Sequence, residues 1–465
     1  MPIRYWNEVA LEANRVSHSN NSDSGTLGPP LSARALAIIH LAMYDAYAAT
    51  DPGSGLPPYL PGRPPPPSPL PAAAVAGAAY TALTHLFPSQ KAFFDTKLAA
   101  AGLSGTAVSS NLAFGGDVAQ QLIAARSADP GGNPAGYVPP IGPGAHRVDP
   151  DNPDQGDGGF HAPFYGSKCR GFAIQNRHKP ALVLNPPPAL GSSGYQAALE
   201  QVSRLGIAPA LQGTQPTGVV GRTPAQTLIG IFWGYDGAVG LGTPPRLYNQ
   251  IVRQVAQAQG NSPAQDARLF ALVNAAMADA GILAWEEKYK RANNLWRPVV
   301  GIREHDLASG GDPFWLPLGA PKTNVLQKNF TPPFPAYPSG HATFGAAALH
   351  ITRRFYNIVA ADRSPDRLFQ NLGVDMELVS EELNGVNTDN HGSVRPLRPR
   401  KFPGGLWDMI LENGLSRLYL GVHWVFDAFA VDASGNPDFA QNVGGVPLGI
   451  AIANDICASG LKPAP

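Results

Sequence analysis

Sulfur and net charge are scarce in this chain, and each shortage removes a class of function. The two cysteines, Cys169 and Cys457, stand far apart and form neither a disulfide framework nor a thiolate zinc site. Any metal here needs other ligands. The 34 basic and 34 acidic residues cancel, which removes the electrostatic case for nucleic acid or an acidic membrane as partner. No run approaches the roughly 18 consecutive apolar residues that span a bilayer. The N-terminus, MPIRYWNEVALEANRVSHSN, has no apolar core behind a basic start. A soluble chain without a classical export signal is expected, cytoplasmic by default, with export by another route left open. Convincing period-two alternation is rare as well, which argues against sheets.

What the chain has is apolar residues at helical spacing. Leu31–Thr50, Val75–Leu86, Ala107–Ala125 and Arg246–Ala258 carry the pattern, and the longest periodic stretch runs from about Ala264 to Trp296, with Pro298 marking its end. Another helix starts just after Pro338, and further ones are expected over Asp366–Leu383, Gly405–Phe429 and Pro447–Cys457. Gly and Pro, 51 and 48 residues, concentrate between these segments, notably in Leu56–Pro71 and Asp129–Gly221. The expected class is all-α: two packed helical bundles with long Pro/Gly-rich loops, divided near residue 220 into 1–220 and a catalytic 221–465.

Three clusters near the C-terminus share one logic, positive charge and imidazole gathered around an oxyanion. Lys290 and Arg297 lie seven residues apart, nearly two helical turns, so a continuous helix puts both cations on one face, whereas Lys288 falls on the opposite side. Arg offers a fork for two oxygens and Lys a point charge. A solvated helix face is the bland account of this pair. Pro338-Ser339-Gly340-His341 opens a helix whose free N–H groups bind anions; Gly340 admits close approach, Ser339 adds a hydroxyl and His341 an acid or base. A capping turn is the alternative. In Ser416–Asp427, His423 and Asp427 are four apart, so on a helix Asp427 accepts the Nδ1 proton and leaves Nε2 free as ligand or nucleophile, with Arg417 within reach of the same anion. A surface pair is the bland account there.

Taken in order, Lys-x6-Arg-Pro, Pro-Ser-Gly-His and Ser-Arg-x3-Gly-x-His-x3-Asp resemble the signature shared by vanadium haloperoxidases and the type 2 phosphatidic acid and class A acid phosphatases. The longer strings FPAYPSGHATFG (334–345), NNLWRP (293–298), ADAGILAWEEKY (278–289), SEELNG (380–385) and FWGYDG (232–237) resemble the haloperoxidase branch. The likeness is strong after residue 225 and weak through the Pro/Gly-rich middle.

The resemblance implies a vanadate cofactor held through His423, its oxygens cradled by Lys290, Arg297, Ser339, Gly340 and Arg417, with His341 hydrogen-bonding the apical oxygen. Lys290 would polarise bound hydrogen peroxide so that a halide, chloride or bromide, attacks it. The hypohalous acid formed would halogenate a small organic acceptor. Bacterial members often place the lysine directly before a tyrosine, which points to Lys288; strict spacing selects Lys290. Asp236 resembles the carboxylate that pairs with Arg417, and Phe334 occupies a position that is Phe in chloride-oxidising relatives and His in many bromide-oxidising ones. Trp296 is a candidate wall of the halide pocket, with packing beside a helix end as the competing account. An acid phosphatase with His423 as nucleophile is the alternative enzyme, and a noncatalytic oxyanion binder the alternative of another class. An oligomer is compatible with everything above.

Overall fold

Proline at the first helical position, after a residue that can cap the helix, starts many of the helices. Thr223-Pro224 and Ser262-Pro263 each build a reciprocal capping box with the glutamine three residues on. The computed structural model describes residues 2–215, 217–304 and 311–464. Over these the α-helices are α1 (Pro2–Asn20), α2 (Pro29–Thr50), α3 (Pro71–Leu86), α4 (Lys91–Ala99), α5 (Val108–Ala125), α6 (Tyr165–Lys168), α7 (Ser193–Leu205), α8 (Pro224–Phe232), α9 (Pro244–Ala258), α10 (Pro263–Tyr289), α11 (Pro298–Arg303), α12 (Gly340–Phe355), α13 (Gly405–Tyr419) and α14 (Gly445–Ser459). The strands among the described residues are three antiparallel pairs of two-residue segments, so the all-α class holds.

α2 and α10 are apolar around most of their circumference, and that composition makes them central. α10 is long and apolar enough to cross a membrane, yet it is buried inside the protein. It packs on α2 on one side and on α12 on the other, while α3 and α5 pair beside α2 and α14 pairs with α12. The N-terminal and C-terminal helix sets therefore share a continuous core, and residue 220 falls in the connection between α7 and α8.

Three expected helices end differently. The segment 264–296 stops being helical at Tyr289, because the chain beyond is claimed by the Pro/Gly-rich middle: the Trp296 N–H donates to the Gly144 carbonyl and the His146 N–H to the Asn294 carbonyl. Gly405–Phe429 is helical only to Tyr419. There Gly421, at φ +71°, closes a Schellman cap in which the Val422 N–H reaches the Arg417 carbonyl and the Gly421 N–H the Leu418 carbonyl. A side chain at Gly421 would also collide with the Gly206 backbone at the end of α7. Asp366–Leu383 is not a helix. Leu372 and Gly373, both at positive φ, turn Gln370–Asn371 back onto Val374–Asp375 as a hairpin, and a short 3-10 turn, Glu381–Leu383, follows. Conversely α1, α4, α6, α7, α8 and α11 are helices that the periodicity does not announce.

Both cysteines are free; Cys169 is buried, with its sulfur accepting from the Arg126 guanidinium. Met43, Met277 and Met409 are fully buried.

Candidate functional site

The end of α10, the start of α12 and the loop after α13 converge on one buried point. Ser339 caps α12, its Oγ accepting from the Ala342 N–H, while its own N–H donates to the Asp427 carbonyl at 2.8 Å. That bond ties the α12 N-terminus to the His423 loop. His423 and Asp427 lie beyond the helix, on the post-cap turn and a 3-10 turn (Val425–Asp427), rather than on a helical face. Their contact forms all the same: His423 Nδ1 donates to Asp427 Oδ2 at 2.7 Å, and the same oxygen takes the Trp424 N–H. On the other side Arg297 Nη1, a donor only, points at His423 Nε2 at 2.9 Å. Both neighbours require one tautomer, with the proton on Nδ1 and a lone pair on Nε2.

Arg297 is fixed by the Phe334 and Val422 carbonyls, leaving Nη2 buried without a partner. Arg417 lays its two Nη atoms on Asp236 at 3.0 and 2.7 Å, and its Nε is likewise buried and unpartnered. His341 Nε2 donates to the Gly234 carbonyl at 2.7 Å, so Nδ1 is the unprotonated nitrogen; it stands 4.0 Å from Asp236.

The lysine assignment requires correction. Lys290 is the C-cap of α10 with an extended backbone, is 41% exposed and pairs with Glu287 at 2.6 Å. Because the helix ends there, the two-turn spacing to Arg297 does not translate into a shared face. Lys288 instead enters the site. It is fully buried, its Nζ donating to the Pro335, Ala336 and Pro338 carbonyls and lying over the Phe334 ring at 5.1 Å, with Arg297 over the same ring at 5.0 Å.

Trp296 also requires correction. Its Nε1 donates to Tyr195 Oη and its carbonyl accepts from Trp424, so it packs behind the site. The aromatic wall is Trp285 with Phe334, ring centroids 4.8 Å apart, and both line the small cavity with Gly340, His341, Arg417 and His423. Trp285 was legible only as an apolar position on α10, yet it lies three residues before Lys288 and thus on the same face. The cavity meets a cleft of about 1050 Å³, which shares Pro29, Asp236, Pro332 and Phe334 with it. The polar side chains come from the C-terminal half, whereas the N-terminal half supplies Pro29 and much of the cleft.

Electrostatically the site is dominated by basic side chains. Burial, reinforced by Arg297, pushes the Lys288 ammonium well below its usual range. Burial also lowers Arg297 to about 9 and, with Arg417 nearby, His341 to about 4. His423 is held neutral, well below the ordinary imidazole value, by burial and then by Arg297 and Lys288. Burial raises Asp427 to about 7, against the pull of Lys288 and Arg297. Lys288, Arg297 and Arg417 face two carboxylates, Asp236 and Asp427. The three basic side chains set against two carboxylates, the two orphaned guanidinium N–H groups and the α12 N-terminus together fit a tetrahedral oxyanion. Among the described residues no group of three or more His, Cys, Asp or Glu could hold a metal cation, whereas the basic lining suits an oxyanion such as vanadate.

The fold is one shared with helical vanadium haloperoxidases of known structure. It superposes on the first bacterial vanadium-dependent iodoperoxidase with a TM-score of 0.65 at 20% identity, covering 97% of this chain and 96% of that one. A holo bacterial vanadium-dependent chloroperoxidase gives 0.60 at 14% identity, covering 96% of each. Residues 2–171 match the vanadium chloroperoxidase N-terminal domain and residues 268–443 the VCPO second helical-bundle domain. The vanadium chloroperoxidase of Curvularia inaequalis is 37% identical, over 100% of this chain and 90% of the relative. The chain belongs to the vanadium chloroperoxidase family.

Proposed function

We propose that the chain is a vanadate-dependent haloperoxidase, oxidising a halide with hydrogen peroxide to a hypohalous-acid equivalent that halogenates small organic acceptors. The observation that carries this is the neutral His423 with its Nε2 lone pair beside two buried, unpartnered guanidinium N–H groups. When bound, vanadate supplies a Lewis-acid centre that activates peroxide without a change of metal oxidation state.

The residues divide the remaining work. His423 Nε2 would hold the vanadium, and Asp427 holds its tautomer through Nδ1. Lys288, Arg297, Arg417, the Gly340 N–H and the Ser339 hydroxyl would hold the vanadate oxygens; the Ser339 Oγ already accepts from Ala342, so its proton is free to donate. Asp236 orients the Arg417 fork. His341 would take up or release a proton at Nδ1, and Lys288 rather than Lys290 would supply the ammonium beside the bound oxidant. Trp285 and Phe334 exclude water around the halide. Phe334 favours chloride, and the cleft admits the acceptor.

The test is halogenation of monochlorodimedone by metal-free protein, with peroxide and bromide or chloride, before and after orthovanadate. Activity appearing only with vanadate and lost in His423→Ala supports the reading. Silence in both halides together with fast p-nitrophenyl phosphate hydrolysis points to the phosphatase that the same cradle could serve.

A further inference from the structure

The loop between α8 and α9 feeds two contacts into the site from consecutive residues. Its Gly234 carbonyl fixes the His341 proton on Nε2, and its Asp236 carboxylate fixes the Arg417 fork. Between them Tyr235 is fully buried and sits at φ +58°, a conformation that costs a bulky residue free energy and persists only where its surroundings impose it.

What imposes it comes from the SEELNG segment, 380–385. Glu382 is completely buried, and its Oε1 accepts the Tyr235 N–H at 3.2 Å. Its Oε2 is held by Thr323 Oγ1 at 2.5 Å and Arg395 Nη1 at 2.6 Å. Two neighbours assist: Ser380 Oγ donates to the Phe232 carbonyl, and the Glu381 N–H donates to Tyr235 Oη. The approach is so close that a Cβ on Gly234 would stand 2.5 Å from Glu382 Oε1.

We propose that Glu382 is a positioning residue of the oxyanion site: by holding the Tyr235 turn it sets the His341 tautomer and the Arg417 orientation together, touching neither side chain. The inference rests on the site reading above. A single backbone turn couples the proton-handling histidine to the anion-gripping arginine, and Arg395 and Thr323 stand behind it as the outer support. Disturbing Glu382 therefore loosens two functional groups at once, although no hydrogen bond to the anion itself is removed.

The experiment compares metal-free wild type, Glu382→Gln, Gly234→Ala and the double variant. Two quantities are read: orthovanadate affinity by titration calorimetry and the His341 tautomer by nitrogen NMR, assigned with His341→Gln. In Glu382→Gln the amide nitrogen meets donors where the carboxylate met them, and in Gly234→Ala the new methyl pushes the carboxylate off the turn. Each change is expected to weaken orthovanadate by about tenfold and to replace the single Nε2-protonated form of His341 with a tautomer mixture. The double variant is expected to be little worse than either single one, because both act on one contact. A folded Glu382→Gln protein with wild-type affinity and wild-type tautomer overturns the proposal. If that variant does not fold, Gly234→Ala decides on the same two readouts. Failure of wild type to bind orthovanadate would instead refute the site reading itself.

Discussion

Replacing Lys288 by Met should weaken orthovanadate far more than replacing Lys290 by Met. The Lys288 ammonium is buried, anchored by three carbonyls and held against the Phe334 ring, so it has no freedom to leave the site and little water to screen it. A charge-assisted contact to an oxyanion in such surroundings contributes roughly 1.5–3 kcal/mol, which is about 10- to 150-fold in affinity. Methionine keeps the length and removes the charge. Lys290 is 41% exposed and already paired with Glu287, and exposed pairs are worth about 0–1 kcal/mol, so its loss should cost less than about fivefold. The assay is calorimetric titration of metal-free protein with orthovanadate, with thermal melts to confirm that both variants are folded. A larger loss for Lys290→Met than for Lys288→Met would refute the assignment.

Other perturbations separate the remaining roles. Asp236→Asn should keep the fold but weaken orthovanadate by about tenfold, because the Arg417 fork loses its charged partner; unchanged affinity would show that Arg417 needs no orienting carboxylate. Phe334→His should lower kcat/KM for chloride relative to bromide, and an unaltered ratio would remove Phe334 from halide selection. His350 lies at 0% exposure away from the site, and burial with Arg353 nearby lowers it from 6.5 to about 4. Its folded value is depressed, so the unfolded chain binds the extra proton and stability falls as the pH drops from about 6.5 toward about 4. The span corresponds to roughly 3 kcal/mol. His350→Gln lacks this loss, so its melting temperature should gain on wild type across that window; parallel curves would contradict the sign.

The site was more legible than the path of the chain to it. Arg297, Ser339, Gly340, His341, Arg417 and His423 do meet, because each belongs to a motif whose local geometry brings its own constraint: a helix cap, a Schellman stop, an imidazole–carboxylate pair. Helical spacing selects Lys290 over Lys288 only if the helix continues past Tyr289, where contacts with residues 144–146 override local preference. Nothing in the periodicity of 264–296 announces those partners. Trp285 stayed hidden for a related reason, since an aromatic on an apolar helix face looks like core until the opposing Phe334 is in place. The 366–383 segment shows the reverse failure. Its apolar spacing reads as helical, and only the positive φ of Leu372 and Gly373 identifies a hairpin. The positive φ of Tyr235 is equally invisible in sequence, since tyrosine gives no cue for it.

The scarcity of sulfur has a second meaning once hypohalite is the product. Thiols and thioethers are the groups such an oxidant consumes soonest. Of the two cysteines and five methionines in the chain, Cys169, Met43, Met277 and Met409 lie in the interior. The protein is thus a poor sink for its own chemistry, and more of what it makes can escape to react elsewhere.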